Sequence, residues 1–467
     1  MNEKAQIELL SKKTEITDLI VRQAKTIGPI ESIGEEQDKY DYEDGLKHSR
    51  NYFSGGFFLK FKILDHLKSR GQINHDSAYA LYERLMKEIY NRIKARDAIK
   101  TTLDNYLLEE DYTFGIKLIS DELIRSYKTY KFILITNFIK LENVPLVVIG
   151  KTTIRGIDND YLRDWPTTIE NRSYVNFYDS SLSKEKFLER NKNLVALETV
   201  VNGFHFADEK SVPFYAAINN FEQAFAFLYF SKYYAFNIAM EYVMRTEKTN
   251  ELSRGLLRNQ PIQTFYVSFS ESNEDILKCI KLYKDDLVHL TDDIFTIDAQ
   301  ALEHLNSLCL LNNYSASVSE KKEIGEKVTR CLDWWLKSTL EKDLTDQALS
   351  LFISLESLLS MDSQPLTSHT DDMAENIAIM SESNSEKRYL KKSEFKKTIY
   401  PLRNKIMHHG YKCLEDRDDD SVNLVKDCVA ISLKGILQRL EEISKYGSDA
   451  KAMREYFERE KLKSQDE

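Results

Sequence analysis

The chain has 467 residues, of which 42% are hydrophobic and 30% charged, with a mean hydropathy of −0.46. That is enough apolar material for two or three domains with cores of their own, and too much for a chain without one. A formal net charge of −10 excludes a basic surface over the whole protein, so any contact with nucleic acid has to come from a local patch.

The chain opens on Met1-Asn2-Glu3-Lys4, which lacks the basic-then-apolar order of a signal peptide. Ile7, Leu10, Ile16, Leu19 and Ile20 have the spacing of an amphipathic helix. Phe53-Ser54-Gly55-Gly56-Phe57-Phe58 reads as a turn, and Asp76 to Leu107 again carries apolar residues at helical spacing. Residues 1–115 are expected to form a helical N-terminal region.

The middle changes character. Lys131 to Ile139 and Pro145 to Gly150 are β-rich runs bounded by breakers and are expected to be neighbouring strands, and Thr264 to Phe269 alternates as a further strand. Phe221 to Met244 is rich in aromatics but carries Glu222, Lys232 and Glu241, which predicts a deeply packed helix rather than a membrane span. Residues 116–315 are read as a mixed α+β sensor or regulatory domain. Five cysteines without a CxxC pair (Cys279, Cys309, Cys331, Cys413 and Cys428) suit a reducing cytoplasm and support neither a disulfide framework nor a zinc site.

From about Ser319 the pattern is helical. Val328, Leu332, Trp335 and Leu336 form one stripe over Ile324 to Leu340. Leu349, Phe352, Ile353, Leu355 and Leu359 form another over Asp346 to Leu359. A polar connection from Met361 to about Ser385, an acidic loop from Glu415 to Asp420, a long helix from Val422 to about Ile443 and a charged tail over 451–467 complete the reading. The fold class expected is α+β, predominantly helical, closing on a bundle of four or five helices over 319–450.

Arg403-Asn404-Lys405-Ile406-Met407-His408-His409-Gly410 concentrates chemistry in this region. Arg403 is a fixed cation able to grip phosphate with two N–H groups, and His408 or His409 can pass a proton near neutral pH. Pro401 disfavours helical backbone at Tyr400 and is tolerated in a first turn, so a short helix is expected from Pro401 to about His409, stopped by Gly410. Arg403 and Asn404 would then sit at a helix N-terminus, which favours an anion. Asn404 and His408 are four apart and share a face, with Arg403 roughly 100° round from Asn404. One copy gives part of a site, which a facing second copy would complete.

Just upstream, Lys387, Arg388, Lys391, Lys392, Lys396 and Lys397 outnumber Glu386 and Glu394, with Tyr389, Phe395 and Tyr400 interleaved. Basic residues among aromatics suit unpaired RNA, which leaves Lys391, Lys392, Lys396, Lys397, Lys405 and Tyr400 as binding candidates. The plainer reading is a solvated helix face with its apolar side packed inward.

Trp334-Trp335, then Leu355-Glu356-Ser357-Leu358-Leu359, then Tyr400-Pro401-Leu402-Arg403-Asn404-Lys405-Ile406-Met407-His408 resembles the HEPN superfamily, in particular the Apea-like HEPN domains of bacterial anti-phage proteins. The resemblance covers roughly residues 320 to 445. It implies a helical domain that dimerises into a composite cleft with two Arg-His pairs, and a metal-independent RNA endonuclease without cofactor. The 2′-hydroxyl of the RNA attacks the adjacent phosphorus, leaving a 2′,3′-cyclic phosphate and a 5′-hydroxyl. By that resemblance His408 moves protons, Arg403 stabilises charge on the phosphate, and Asn404 orients one or the other. His409 also satisfies the Arg-x4–6-His spacing, but His408 is the one on the Asn404 face. Glu356 is a candidate to orient Arg403 or His408. The resemblance implies RNA as partner, with transfer RNA among the candidates, and a phage-derived trigger; the alternative is a non-catalytic HEPN module that dimerises and binds RNA or a partner.

Other signals are weaker. Gly150-Lys151-Thr152 follows an apolar run as a phosphate-binding loop would, but the earlier glycine that such a loop needs is Pro145. Asp158-Asn159-Asp160 and Asp208-Glu209 read as acidic turns, and the remaining seven His show no HExxH or paired metal spacing.

Overall fold

The computed structural model describes residue 124 and residues 127–163, 165, 168–173, 176–191, 194–204, 211–243, 264–270, 276–280, 295–319, 323–360, 369–382, 384–447 and 450–466. The helices and the turn expected before residue 115 lie outside the described residues, as do Asp208 and Glu209. Within them, a mixed α/β region is followed by a largely helical one, the fold class that the sequence predicts.

Among the described residues ten strands, with two helices between them, precede the C-terminal run of helices. They are β1 (Tyr127–Thr136), β2 (Ile139–Glu142), β3 (Leu146–Ile149), β4 (Thr152–Gly156), β5 (Thr168–Ser173), β6 (Asn176–Ser183), β7 (Val195–Phe204), β8 (Thr264–Ser270), β9 (Ile276–Ile280) and β10 (Phe295–Asp298). Eight of them form one sheet in the order β3-β4-β7-β1-β8-β9-β5-β6, and β10 pairs with β2 in a small parallel ribbon. β1 is central, antiparallel to β7 from Tyr127↔Phe204 to Thr136↔Val195 and to β8 on its other side.

Both faces of β1 are covered, which explains why its alternation is lost in the sequence. Tyr130, Phe132 and Leu134 join the large core, while Ile133 and Ile135 join a smaller one with Ile157, Trp165 and Phe187. The runs at 131–139 and 145–150 are strands but not neighbours, because β4 and β7 lie between β1 and β3. The bend at Asn137 and Phe138 breaks the first run and sends its end, as β2, into the other sheet.

Helix α1 (Lys184–Asn191) follows β6, and α2 (Val212–Val243) joins the sheet to the helical region. Phe221 and every residue from Ala224 to Phe230 are buried, so this stretch of α2 is enclosed all round. Among the described residues no helix is long and apolar enough to cross a membrane.

The helical region comprises α3 (Ala299–Ser307), α4 (Leu310–Ser319), α5 (Glu323–Leu340), α6 (Leu344–Leu359), α7 (His369–Ser381), α8 (Ser385–Glu394), α9 (Tyr400–His409), α10 (Glu415–Gln438), α11 (Leu440–Ser444) and α12 (Ala450–Asp466). Phe227 of α2 stacks on Tyr314 of α4 at 4.5 Å, and Phe230 meets the Trp335 edge of α5 at 6.2 Å, so one apolar core continues from sheet to helices.

Three stretches differ from expectation. The polar connection includes a helix, α7, because Met373, Ala374, Ile377, Ala378 and Met380 supply a buried face. The acidic run at 415–420 is the first turn and a half of α10 rather than a loop, where carboxylates favour the positive end of the helix. The charged C-terminal stretch is α12, anchored by Ala452, Met453, Tyr456 and Phe457. The helices therefore outnumber the four or five expected.

Candidate active site

α5 and α6 carry the stripes read from the sequence: Val328, Leu332, Trp335, Leu336, Phe352, Leu355 and Leu359 are buried, while Leu349 and Ile353 are half-buried at the edge of the second stripe. Ser354 of α6 donates to the Cys331 carbonyl of α5 at 2.7 Å, fixing the two helices in register. Asp343 caps α6 by accepting from the Thr345 N–H at 2.8 Å, and its carboxyl is held below the usual range chiefly by hydrogen bonds from Thr345. α9 packs on α6 through the buried Leu402 and Ile406. That packing sets Arg403 opposite Glu356.

α9 begins differently from expectation. Tyr400 is helical, at φ −66° and ψ −38°, and the chain runs without a break from α8 through a π-helical turn, Phe395–Ile399, into α9. The Tyr400 N–H reaches the Phe395 carbonyl, five residues back. This wider turn absorbs Pro401, which has no N–H to give and whose ring would crowd a regular preceding turn. Arg403 and Asn404 are consequently inside a continuous helix, and the anion-binding helix end expected there does not form. The C-terminal end matches expectation: Gly410 adopts φ 60°, a left-handed cap that ends α9 after His409.

Arg403 is engaged. Its Nη2 lies 2.8 Å and its Nε 2.9 Å from Glu356 Oε1, and its guanidinium stands 6.0 Å from the centre of the half-buried Tyr400 ring. Asn404 is half-buried, while Lys405, His408 and His409 are exposed. Asn404 and His408 thus open one surface of α9 one turn apart, with the Arg403–Glu356 pair on the adjoining surface.

The basic stretch is largely paired. Lys391 meets Glu394 at 2.7 Å, Lys392 bonds Glu375, Lys396 bonds Asp371 at 2.5 Å, and Arg388 lies 3.6 Å from Glu460. Glu375 and Asp371 belong to α7 and Glu460 to α12, so these cations tie α8 and the π turn to their neighbours. Lys397 is exposed and makes no ion pair among the described residues; Lys405 lies 5.6 Å from the Tyr411 ring. Of the interleaved aromatics, Tyr389 is 71% exposed, but Phe395 is 2% exposed and sits in the core, so it has no face to offer a base.

Sequence reading passed over the residues just beyond Gly410. Tyr411 donates its hydroxyl hydrogen to Asp418 (3.1 Å), which also accepts from the Leu414 N–H (3.0 Å) at the start of α10. Burial works against the Asp418 charge, but the Leu414, Tyr411 and Arg417 donors hold its carboxyl below the usual range. The Arg417 guanidinium lies 5.0 Å from the Tyr411 ring, a second cation beside the ring that Lys405 also approaches. The sequence signal was one aspartate among several, with nothing to single it out.

Elsewhere, Gly150 and Lys151 form the tight turn between β3 and β4, and Asp158 accepts from the Tyr161 N–H at 2.7 Å as a turn residue. Among the described residues no group of three or more His, Cys, Asp or Glu is placed to hold a metal ion. No family model, no curated protein and no solved structure matches this chain.

Proposed function

We propose that this chain is a metal-independent RNA endonuclease of the HEPN type, acting as an anti-phage effector whose preceding regions sense infection or restrain the nuclease. The observation that carries this reading is the Arg403–Glu356 pair: a cation oriented from a neighbouring helix beside the surface that bears Asn404 and His408. A guanidinium held in place loses little freedom when it meets a phosphate, and a positioned cation stabilises the charge that builds there.

In the proposed reaction the 2′-oxygen bonds to phosphorus as the bond from phosphorus to the 5′-oxygen breaks. The 2′-hydroxyl loses its proton and the 5′-oxygen gains one; His408 carries this transfer, in one copy or shared between two. Arg403 neutralises the phosphate oxygens, and Asn404 orients the imidazole or the phosphate. RNA supplies the nucleophile, so the protein needs none.

Incubation of the full chain with total RNA and defined transfer RNAs in EDTA, beside Arg403→Ala and His408→Ala, tests this directly. Cleavage that leaves cyclic phosphate and disappears in both variants is the expected result. Cleavage unaffected by either substitution would sink it.

A non-catalytic module that dimerises and binds RNA or a partner is the second reading; the pairing of Lys391, Lys392 and Lys396 with carboxylates leaves this stretch few cations for RNA and favours the partner-binding form of it. It calls for phage protection that survives His408→Ala.

A further inference from the structure

The exposed surface of α9 has two flanks. A helix turns about 100° per residue, so His408 stands about 40° from Asn404, about 60° from Lys405 on its other side, and about 140° from Arg403. Leu402 and Ile406 are buried, and the exposed His408 lies between Asn404 and the exposed Lys405. Arg403 bounds this surface on one side. The chain just past Gly410 bounds it on the other.

The Tyr411 N–H bonds back to the Lys405 carbonyl at 3.2 Å, which seats the tyrosine beside that residue. Two cations approach its half-buried ring, Lys405 Nζ at 5.6 Å and the Arg417 guanidinium at 5.0 Å from the centre. The Tyr411 hydroxyl is anchored on Asp418, whose Oδ2 also accepts from Arg417 Nε at 3.3 Å. Arg417 is therefore mounted as Arg403 is, with Nε turned to a carboxylate. Its Nη1 and Nη2 make no hydrogen bond among the described residues, and its side chain is 56% exposed. The two acids that follow it in sequence are already engaged: Asp418 is turned inward, and Asp419 accepts from Asn423 at 2.9 Å.

We infer that Lys405, Arg417 and Tyr411 form a phosphate subsite that holds the RNA phosphate next to the one that is cut. The inference rests on the nuclease reading and adds a requirement to it: the substrate carries a phosphate beyond the scissile one. The chemistry selects a phosphate over a base. The cations over the half-buried Tyr411 ring leave little of its face for stacking, whereas a guanidinium whose Nε is fixed presents its remaining N–H groups as a fork. Lys405 adds the charge that an exposed lysine offers a nucleic-acid backbone. With Arg403 on one flank, His408 in the middle and this pair on the other, one strand can cross α9 and meet a cation on each side.

Two measurements on the full chain test this. The first is fluorescence anisotropy of a labelled short 2′-O-methyl RNA, which lacks the nucleophile and so only binds. Arg417→Gln should weaken binding roughly tenfold and lower the slope of log affinity against log salt by about 0.7, and Lys405→Gln should lower it similarly. Arg417→Lys keeps the charge and should keep the slope while losing part of the affinity. The second is cleavage of dinucleotides with and without an added terminal phosphate, at the 5′ or the 3′ end. Expected is a lower KM with one of the two phosphates, and loss of that gain in Arg417→Gln. If circular dichroism shows that Arg417→Gln does not fold, Lys405→Gln carries both measurements. A parent that cuts no RNA, with a slope that still falls in Arg417→Gln, would fault the nuclease reading and leave the phosphate subsite standing. The inference is overturned if the parent binds no RNA, if Arg417→Gln leaves the slope unchanged, if a cutting parent gains from neither terminal phosphate, or if the gain persists in Arg417→Gln.

Discussion

Arg403 brings both Nε and Nη2 to a single oxygen, Oε1 of Glu356, at 2.9 and 2.8 Å. The arrangement fixes the guanidinium plane from one edge and leaves Nη1 on the other side. With side chains 23% and 32% exposed, the pair lies in partly screened surroundings, where a well-oriented ion pair contributes about 1 kcal/mol or less. Its chief effect is to aim the arginine.

Glu356→Gln should therefore change stability little and cleavage more. A neutral amide still accepts from Arg403 but holds it less firmly, so RNA cleavage is expected to fall about tenfold while the denaturation midpoint hardly moves. In a double-mutant cycle, Arg403→Ala on the Glu356→Gln background should lose no more activity than Arg403→Ala alone. Independent, multiplying losses would show that Glu356 acts elsewhere.

The two adjacent histidines separate by helix geometry. Both are exposed at the end of α9, but only His408 lies one turn from Asn404, and His409 is rotated about 100° away. His408→Ala should reduce cleavage by about 10²-fold or more, in line with the loss of a general acid or base, and His409→Ala should stay within a few fold. Single-turnover assays on one RNA decide it, and the reverse order would move the role to His409.

Among the lysines, salt dependence is the informative readout. Each phosphate contact to single-stranded RNA adds about 0.7 to the slope of log affinity against log salt. Lys397→Ala should lower that slope. Lys391→Ala should leave it nearly unchanged, because Lys391 is spent on Glu394 at 2.7 Å. Filter binding across a salt series distinguishes the two.

Asp333 gives a pH signature. Its folded value of about 6 stands above the ordinary 3.8, so the folded state holds this proton more tightly than the unfolded one. Its ionisation thus weighs against the fold: stability falls as pH rises from 3.8 through about 6, and the deficit is complete above that. Asp333→Asn should melt higher than the parent at pH 7.5, with the gap closing as pH approaches 4. Glu222, Glu326, Arg330, Tyr314 and Cys331 surround it, and Glu222 is itself raised, by burial first and then by the Asp333 charge. The substitution should therefore also lower the Glu222 value, which carboxyl NMR can follow.

Gly325 permits the close approach of α4 and α5. A Cβ there would stand 2.2 Å from the Ser317 carbonyl oxygen, a backbone atom with no rotamer to yield. Gly325→Ala should lose about 1–3 kcal/mol in chemical denaturation despite the better helix propensity of alanine. An unchanged midpoint would mean that the two helices separate at little cost.

How much of this was legible varies with the physics of each segment. The stripes of α5 and α6 showed because each has one buried face, and β8 showed as a run of alternating residues. α10 was truncated in the reading because Glu415 to Asp420 hides its period behind charge, although Asp418 is buried and bonded. α12 was equally hidden, its buried pairs Ala452–Met453 and Tyr456–Phe457 set among acids and bases. At the candidate site, Arg403, Asn404 and the two histidines stood out by residue type. That Glu356 reaches Arg403 is a fact of packing, and no spacing rule links residues 47 apart. The continuity of α8 with α9 ran against the local rule for Pro401, because a wider turn had been left out of account.

That turn sets a rotational phase. A helix advances about 100° per residue, so the surplus residue within Phe395–Ile399 swings everything after it relative to everything before. Upstream, Lys392 points to Glu375 on α7; downstream, Arg403 points to Glu356 on α6. A uniform α-helix of the same residues would turn one of these two side chains away from its partner. Deleting Thr398 would keep every charged side chain in the sequence and misalign the two halves, like a key whose later teeth have been cut at the wrong angle.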